Sequence, residues 1–212
     1  MAVLRPIKLI IDNYPEGATE EFDVENNPKD ENAGTRKVSF SRELWIESED
    51  FMEVPAPKYF RLFPGNEVRL KSAYVVKCVS CDHDADGNVT AVHCTYDTES
   101  RGGNTTDGRK IKSTIHWVDA NTAIDAEIRQ YDRLFTTEQP DLADCNYLDF
   151  INPNSLEVIK GAKLEGFLAN AKPEDRFQFL RTGYFCADSK DSTPEHPVFN
   201  LAVSLKDSYK PE

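Results

Sequence analysis

Short β-rich segments, separated by turn residues, follow one another along most of this chain. Examples cover residues 7–14, 36–40, 44–46, 68–78 and 89–96. The last two flank Asp84-Ala85-Asp86-Gly87-Asn88, and Gly and Asn tolerate the positive φ that tight turns need, so they predict a hairpin. Many short strands with frequent turns favour closed or nearly closed barrels, which remove exposed sheet edges. The sequence therefore predicts an all-β fold.

The middle of the chain gives less uniform signals. Residues 98–108 are rich in Gly, Thr and Asn and predict an exposed loop. Between residues 110 and 117, apolar or small side chains alternate with Lys, Thr and His, as in a half-buried strand. Residues 123–135 place apolar side chains at helical spacing within a β-rich context, so periodicity alone leaves a helix and a strand both open.

Length and charge limit the function. A chain of 212 residues is long enough for two small domains or one large β domain. Its net charge of −12 argues against a general nucleic-acid binder, which usually carries a basic surface. Yet residues 57–72 hold one acid, Glu67, against four basic side chains: Lys58, Arg61, Arg69 and Lys71. Such a patch suits a selective RNA contact better than coating of a phosphate backbone, although solvated strand faces would give the same pattern.

The chain start gives no sign of export. No signal peptide and no apolar run of transmembrane length occur in the sequence. Five cysteines, an odd number, without a secretory signal predict reduced thiols and a cytoplasmic protein with no membrane partner.

A CxxC motif raises the alternative of a metal hairpin. Cys78-Val79-Ser80-Cys81 precedes His83, His93 and Cys94 on the predicted hairpin, and zinc binds such groups. A single CxxC is a weak signal, however. On a regular strand, residues three apart point to opposite faces, so chelation would require the segment to turn. We therefore predict no metal site, with buried or incidental thiols instead.

Several motifs, in order along the chain, resemble the C-terminal anticodon-binding domain of the glutaminyl-tRNA synthetases, which are class I aminoacyl-tRNA synthetases. The most informative is Phe177-Gln178-Phe179-Leu180-Arg181-Thr182-Gly183-Tyr184-Phe185-Cys186. The others are Tyr59-Phe60-Arg61-Leu62, the stretch 66–75, Asp107-Gly108-Arg109-Lys110, Ile115-His116-Trp117-Val118 and Tyr131-Asp132-Arg133-Leu134-Phe135. Together they cover nearly the whole chain.

The resemblance implies a specific fold. It consists of two small antiparallel β-barrels with short helical turns, related to a ribosomal RNA-binding protein. We assign them to residues 3–120 and 121–212, with strands that interleave across the boundary. It also places a short helical turn and then a strand within residues 123–135.

The resemblance implies a function as well: recognition of the anticodon loop of the tRNA for glutamine. The parent enzyme would ligate glutamine to this tRNA with ATP and Mg²⁺, bound in an N-terminal catalytic domain of the same chain. The HIGH-like and KMSKS-like signatures of that domain are absent from this sequence. This part is therefore expected to hold no catalytic residue or cofactor, to be inactive alone and to be a monomer.

Seven residues match the family's anticodon contacts. Proteins read RNA sequence mostly on splayed single-stranded bases. Gln178 and Arg181 match the pair that holds the middle base, a uridine, and Lys8 stands where the family has an Arg at the same pocket. Leu180 stands between the pair, where the bacterial pattern has Glu. Alternation along one strand would place the pair on opposite faces, so a bulge or a strand end must intervene.

The other matches lie in the basic segment. Arg61 matches the Arg that reads the third base, a guanine, whose O6 and N7 suit a bidentate guanidinium. Arg69 and Lys71 match basic residues around the first base and its phosphates, and their spacing puts both on one face of a strand. Lys58 and Tyr59 flank this group. The aromatic residues of segment 177–185, together with Trp45 and Trp117, are expected in the core.

Two other functions stay open. A glutamyl-tRNA synthetase of the eukaryotic or archaeal type shares these barrels, and the pocket around Arg61 would distinguish it. A β-barrel interaction module without RNA function is the other, and it would lack a basic groove near Arg61 and Arg69.

Overall fold

A computed structural model of the chain describes residues 1–27, 29–141 and 146–205. No α-helix occurs within these ranges, so the all-β prediction is confirmed, with one nearly closed barrel sheet and one half-barrel sheet. The strands are β1 (Ala2–Val3), β2 (Pro6–Ile11), β3 (Thr19–Glu25), β4 (Thr35–Ser41), β5 (Glu43–Glu47), β6 (Glu67–Leu70), β7 (Val75–His83), β8 (Val89–Tyr96), β9 (Thr114–Ile115), β10 (Val118–Asp119), β11 (Ile124–Tyr131), β12 (Leu156–Leu164), β13 (Arg176–Phe179), β14 (Gly183–Ala187) and β15 (Val198–Ser204).

The expected short helical turns are present as 3-10 helices. They cover Glu31–Ala33, Ser48–Asp50, Tyr147–Phe150 and Gly166–Asn170. In the described part of the chain, no helix has the length and apolar character that a membrane crossing requires.

The chain forms two compact units. Unit 1 contains Met1–Ile124 and Lys163–Leu168, and unit 2 contains Asp125–Ala162 and Ala169–Glu212. The predicted boundary between the barrels, at residues 120 and 121, stays a prediction.

Unit 1 is built on a seven-stranded sheet in the order β10-β5-β2-β8-β7-β6-β9, with β3 and β4 as a separate pair. β1 pairs with the last two residues of β12, which belong to this unit. Most of these pairs are antiparallel as expected, but β2–β8 and β6–β9 are parallel. The core holds a cluster of edge-to-face rings in which Phe40 contacts Tyr14, Phe22, Tyr74 and Trp117, with ring centroids 5.1–5.7 Å apart.

Unit 2 carries β12, β11, β15, β14 and β13 side by side in that order, with β11 and β15 parallel. Its core centres on Phe179 and Phe185, whose rings stack at 4.3 Å, and on Phe199. Gly183 is required where β14 approaches β15, because a Cβ there would lie 2.8 Å from Leu201 and 2.9 Å from the Val203 carbonyl oxygen.

Several predicted elements differ in detail. Residues 68–78 are not one strand: β6 ends at Leu70, and Ser72, with φ of 62°, reverses the chain into β7. The alternation of residues 110–117 yields only the two-residue β9, and His116, which the alternation placed on the exposed face, is buried along with Ile115 and Trp117. Residues 123–135 begin directly with β11 and contain no helical turn, so the strand interpretation is correct there.

The segment 177–186 is a hairpin and not a single strand. β13 pairs with β14 from Arg176↔Cys186 to Phe179↔Gly183, and residues 180–182 form the loop. The core expectation is confirmed for Phe179, Phe185 and Trp117, but Tyr184 is 46% exposed. Trp45 is only half-buried.

Candidate nucleic-acid interface

The segment between the Ser48–Asp50 helix and β6 carries two of the predicted contact residues. Lys58 is exposed in a turn, and its φ of 66° is left-handed. Non-glycine residues rarely adopt this backbone conformation, which costs about 1–2 kcal/mol. Tyr59 is half-buried, and its hydroxyl donates a hydrogen bond to the Glu49 carbonyl at 3.1 Å, so it is part of the scaffold. Four residues after Lys58, Leu62 forms an isolated bridge with Phe51, which fixes the backbone next to Arg61.

The Arg61 guanidinium is anchored within the protein through one nitrogen, and its side chain is partly exposed to solvent. Its Nη1 donates to the Glu49 carbonyl oxygen at 3.1 Å and lies 3.2 Å from Asp50 Oδ1. The Asp50 side chain is only 1% exposed, whereas the Arg61 side chain is 41% exposed. A buried carboxylate thus orients a guanidinium on a partly exposed side chain. Among the described residues, the polar contacts of this side chain all use Nη1, so Nε and Nη2 remain as donors for a ligand.

Arg69 is bound more completely within the protein. On β6, its Nε donates to the Gly103 carbonyl oxygen and its Nη1 to Thr114 Oγ1 at 3.3 Å. The loop backbone lies so close that a Cβ on Gly103 would be 2.6 Å from Arg69 Cδ. Lys71, in contrast, is exposed in the turn just after β6. The predicted shared strand face therefore does not apply to this pair, because β6 ends at Leu70.

Arg109 explains how the loop before β9 is held. Its guanidinium contacts Glu67, Asp97 and Asp107, and hydrogen bonds to these three carboxylates raise its pKa above its usual range. This arginine belongs to a motif that the sequence shares with the family. Three acids of the same chain engage it, so it links the loop to β6 and to the end of β8.

Sequence reasoning missed an exposed aromatic beside Arg61. Phe60 is 51% exposed, and the Lys112 ammonium lies 5.2 Å from its ring centroid. Exposed rings next to cations are the usual surfaces on which unpaired bases stack. The sequence feature that could have indicated this exposed ring is an aromatic residue between two basic residues, Lys58 and Arg61, in a segment bounded by prolines.

In unit 2, Gln178 and Arg181 both lie on the β13–β14 hairpin. Gln178 is exposed and directly opposite Tyr184 across the pair, so these two side chains share a face. Arg181 lies in the loop with φ of 66°, and the loop is closed by a bond from Thr182 N to the Phe179 carbonyl. The strand end that the alternation argument required is therefore present. Leu180 is half-buried beside Arg181.

Lys8 belongs to unit 1. It lies on β2, where its ammonium contacts Glu43 Oε2 at 2.7 Å and lies 5.1 Å from the Trp45 ring centroid. Lys163 approaches the same ring at 5.3 Å, so two ammonium groups contact this half-buried tryptophan. A pocket shared by Lys8, Gln178 and Arg181 stays a prediction of the resemblance.

The cysteines of the CxxC motif do not act as a pair of exposed ligands. Cys78 is buried opposite Cys94, whereas Cys81 is half-exposed near the end of β7. The four-ligand zinc set considered from the sequence would need Cys78, Cys81 and Cys94 at one accessible point, and two of these thiols lie in the core.

Two family models match the chain. Both describe the anticodon-binding domain of class I tRNA synthetases (E and Q), one over residues 1–97 and the other over residues 114–188. All seven predicted contact residues fall within these two ranges, five in the first and two, Gln178 and Arg181, in the second.

Named relatives agree with these models. The chain is 54% identical to a glutamine–tRNA ligase of Clostridium kluyveri over 211 residues, which is 99% of this chain and 38% of the relative. The chain is 56% identical to a glutamine–tRNA ligase of Cupriavidus taiwanensis over 210 residues, which is 99% of this chain and 36% of the relative. The chain thus spans little more than a third of the length of these relatives.

Proposed function

Because the chain belongs to the anticodon-binding domains of the class I tRNA synthetases (E and Q), we propose that it recognises the anticodon of the tRNA for glutamine. The names of its relatives favour glutamine over glutamate as the amino acid of the parent enzyme. The reaction itself, ligation of glutamine to tRNA with ATP and Mg²⁺, would take place in a separate catalytic domain. This chain would be inactive alone, cytoplasmic and monomeric.

The observation that carries the proposal is the oriented Arg61. Reading guanine requires two parallel N–H donors directed at O6 and N7, and such a pair is worth about 1–3 kcal/mol of discrimination. Anchoring Nη1 on Asp50 and on the Glu49 carbonyl limits the rotation of the guanidinium before RNA arrives. Less conformational entropy is then lost on binding. Arg61 would read the third anticodon base, with Phe60 beside it as a stacking surface.

The remaining basic residues of unit 1 would position the anticodon loop on the protein. Lys58 and Lys71 are exposed ammonium groups in turns, which suits phosphate contact without base specificity. Arg69 would direct its remaining donor, Nη2, to the first base or its phosphate, because Nε and Nη1 are used within the protein. Lys8 would add a charge contact, less directional than the family's arginine.

Unit 2 would supply the contact to the middle base. Uridine presents two carbonyl acceptors and one N–H, and the amide of Gln178 offers both a donor and an acceptor. Arg181 would complete the pattern from the adjacent loop. Tyr184, opposite Gln178 and exposed, adds a ring on which the same base can stack.

Binding of the purified chain to a glutamine anticodon stem-loop tests this function. A stem-loop with an unrelated anticodon and the same stem serves as the control, at low and at moderate salt. We expect a preference of about tenfold or more for the glutamine anticodon, equivalent to about 1.4 kcal/mol. Equal binding that falls steeply with salt would mean phosphate contact only and would contradict base recognition. No binding to either RNA, repeated with the full-length enzyme, would favour a protein-interaction module.

A further inference from the structure

Away from the basic segment, three side chains with metal-binding chemistry meet at the end of β7 in unit 1. They are Glu53, Cys81 and His83, and their ligand atoms lie within 4.8 Å of one another. We propose that these three residues form a binding site for a divalent cation of the zinc class. None of its three ligands is among the seven predicted anticodon contacts, and its ligand set is not the one that the CxxC motif suggested.

The donor atoms are close to the spacing that a tetrahedral ion imposes. His83 Nε2 lies 3.1 Å from Glu53 Oε2 and 4.0 Å from Cys81 Sγ. With Zn–S near 2.3 Å and Zn–N or Zn–O near 2.0–2.2 Å, tetrahedral geometry requires about 3.4 Å between N and O and about 3.5 Å between S and N. Both distances come within about 0.5 Å of these values, a change that rotation of exposed side chains allows. The third pair, Cys81 Sγ and the Glu53 carboxylate, also lies within 4.8 Å, so small side-chain rotations would let one ion contact all three donors.

Cys81 and His83 lie two residues apart on β7, so strand alternation directs both side chains to one face. Cys78 pairs with Cys94 and Cys81 with Val92, and a register shift lies between Cys78 and Ser80. Because Cys94 and Val92 are two residues apart and share a face, the bulge turns Cys81 toward the face that Cys78 occupies. His83 follows two residues later, at a second shift where the hairpin ends. The argument from regular alternation therefore fails at this motif.

Ligand chemistry selects the metal class. A thiolate and an imidazole favour zinc over magnesium or calcium, which prefer oxygen ligands, and a carboxylate is an accepted third zinc ligand. In the metal-free chain, the imidazole can donate its Nε2 proton to Glu53. A cation would replace that proton and the thiol proton, so binding would release protons. The side chains of His83 and Glu53 are 35% and 51% exposed, so water can fill the fourth position.

Occupation of the site would connect two parts of unit 1. Glu53 lies in the segment that leads to Lys58 and Arg61, whereas Cys81 and His83 belong to the β7–β8 hairpin. A bound cation would tie that segment to the sheet and would stabilise the folded chain, because a ligand that binds the folded state shifts the unfolding equilibrium.

The test uses the metal-free chain, titrated with Co²⁺ and then with Zn²⁺ as competitor. Thiolate ligation of Co²⁺ gives a near-ultraviolet charge-transfer band, and tetrahedral ligation gives visible bands. We expect the parent chain to bind one equivalent of Co²⁺ and Cys81→Ser to lose the charge-transfer band. In His83→Gln the affinity should fall by about 100-fold or more, because even changes to residues that only support a ligand cost 10–100-fold. Glu53→Gln should weaken binding while keeping the charge-transfer band.

Matched controls lie in unit 2. Cys186 is a half-exposed thiol and His196 an exposed imidazole, so Cys186→Ser and His196→Gln should bind the cation like the parent chain. Zn²⁺ should raise the unfolding temperature of the parent and of both controls but not of Cys81→Ser. Absence of the charge-transfer band in the parent chain at millimolar Co²⁺ would overturn the site. Equal affinity in Cys81→Ser and the parent would do the same.

Discussion

The two units hold their predicted RNA-reading arginines by different means. In unit 1, Arg61 is oriented through its side chain, by the buried Asp50 carboxylate and the Glu49 carbonyl. In unit 2, Arg181 takes its position from the backbone, at a left-handed residue in the three-residue loop between β13 and β14. A side-chain anchor and a strained backbone can both orient a guanidinium in advance, but they affect folding with opposite signs.

This difference sets how binding and stability are coupled. Where a contact residue also neutralises a buried carboxylate, its removal harms the fold and the function together. Where a contact residue occupies an unfavourable backbone conformation, its replacement can improve the fold while the function is lost. We predict the first case around Arg61 in unit 1, and in unit 2 we predict that glycine at position 181 removes the backbone cost.

The largest expected effect is that of Arg61→Ala. It leaves Asp50 buried without its guanidinium partner, so we expect the free energy of unfolding to fall by about 1–3 kcal/mol. Urea denaturation followed by circular dichroism measures this change. Lys58→Ala is the control: this exposed residue should alter stability by about 0.5 kcal/mol or less. Equal stabilities for the two variants would contradict the anchoring role of Asp50.

A smaller effect is expected when glycine instead of alanine replaces Arg181. Glycine adopts φ near 66° without the cost that other residues incur, so Arg181→Gly should be more stable than Arg181→Ala by up to about 1 kcal/mol. Binding of the glutamine anticodon stem-loop should nevertheless weaken about tenfold. Arg181→Ala removes the same side chain but keeps the backbone cost, and should bind equally weakly without the gain. Equal stabilities for Arg181→Gly and Arg181→Ala would contradict a backbone cost at this position.

The smallest effects concern pH, and the units should respond in opposite directions. In unit 1, hydrogen bonds to Asp12 and Asp82 raise the pKa of His93 above its ordinary value of 6.5. Its contribution to stability is therefore complete below pH 6.5 and is lost as the pH rises through the higher folded value. In unit 2, the Asp191 N–H, the Asn200 amide and the Lys190 N–H lower the pKa of Asp188 to about 2. That contribution is complete above 3.8 and is lost as the pH falls toward 2.

Denaturation midpoints of His93→Gln and Asp188→Asn, measured against pH, check these signs. His93→Gln should be less stable than the parent at pH 6 and approach it at higher pH. Asp188→Asn should be less stable than the parent at pH 5, and the difference should disappear as the pH falls through 2. Parallel curves for either variant and the parent would show that the corresponding group does not titrate differently on folding.

Much of the fold could be predicted from local signals. Turn chemistry at residues 84–88 located the β7–β8 hairpin, and alternating β-rich segments indicated an all-β chain. Signals failed where tertiary contacts outweighed periodicity. Ser72 reverses the chain inside what reads as one apolar strand, and His116 is buried although its position in the alternation predicted exposure. The parallel pairs β2–β8 and β6–β9 join strands that are far apart in the sequence, so no local pattern could predict them.

The sequence predicted which residues could form the candidate site, but not the contacts that hold their side chains. The motifs indicated which basic residues to consider, yet the partners of Arg61 and Arg69 lie 11 and 34 residues away, at Asp50 and Gly103. The exposure of Phe60 and Tyr184 depends on which sheet face turns to solvent, and the sequence-based expectation placed Tyr184 in the core. Whether these seven residues contact RNA stays a prediction.

The central claim, that different arginines in the two units read different bases, is tested by crossing base and residue changes. One stem-loop replaces the third guanine with adenine and another replaces the middle uridine with cytidine, and each is measured against the parent chain, Arg61→Ala and Arg181→Ala. Arg61→Ala should abolish discrimination at the third base only, and Arg181→Ala at the middle base only, each worth about 1–3 kcal/mol. Loss of discrimination at both bases in both variants, or at neither, would contradict this division.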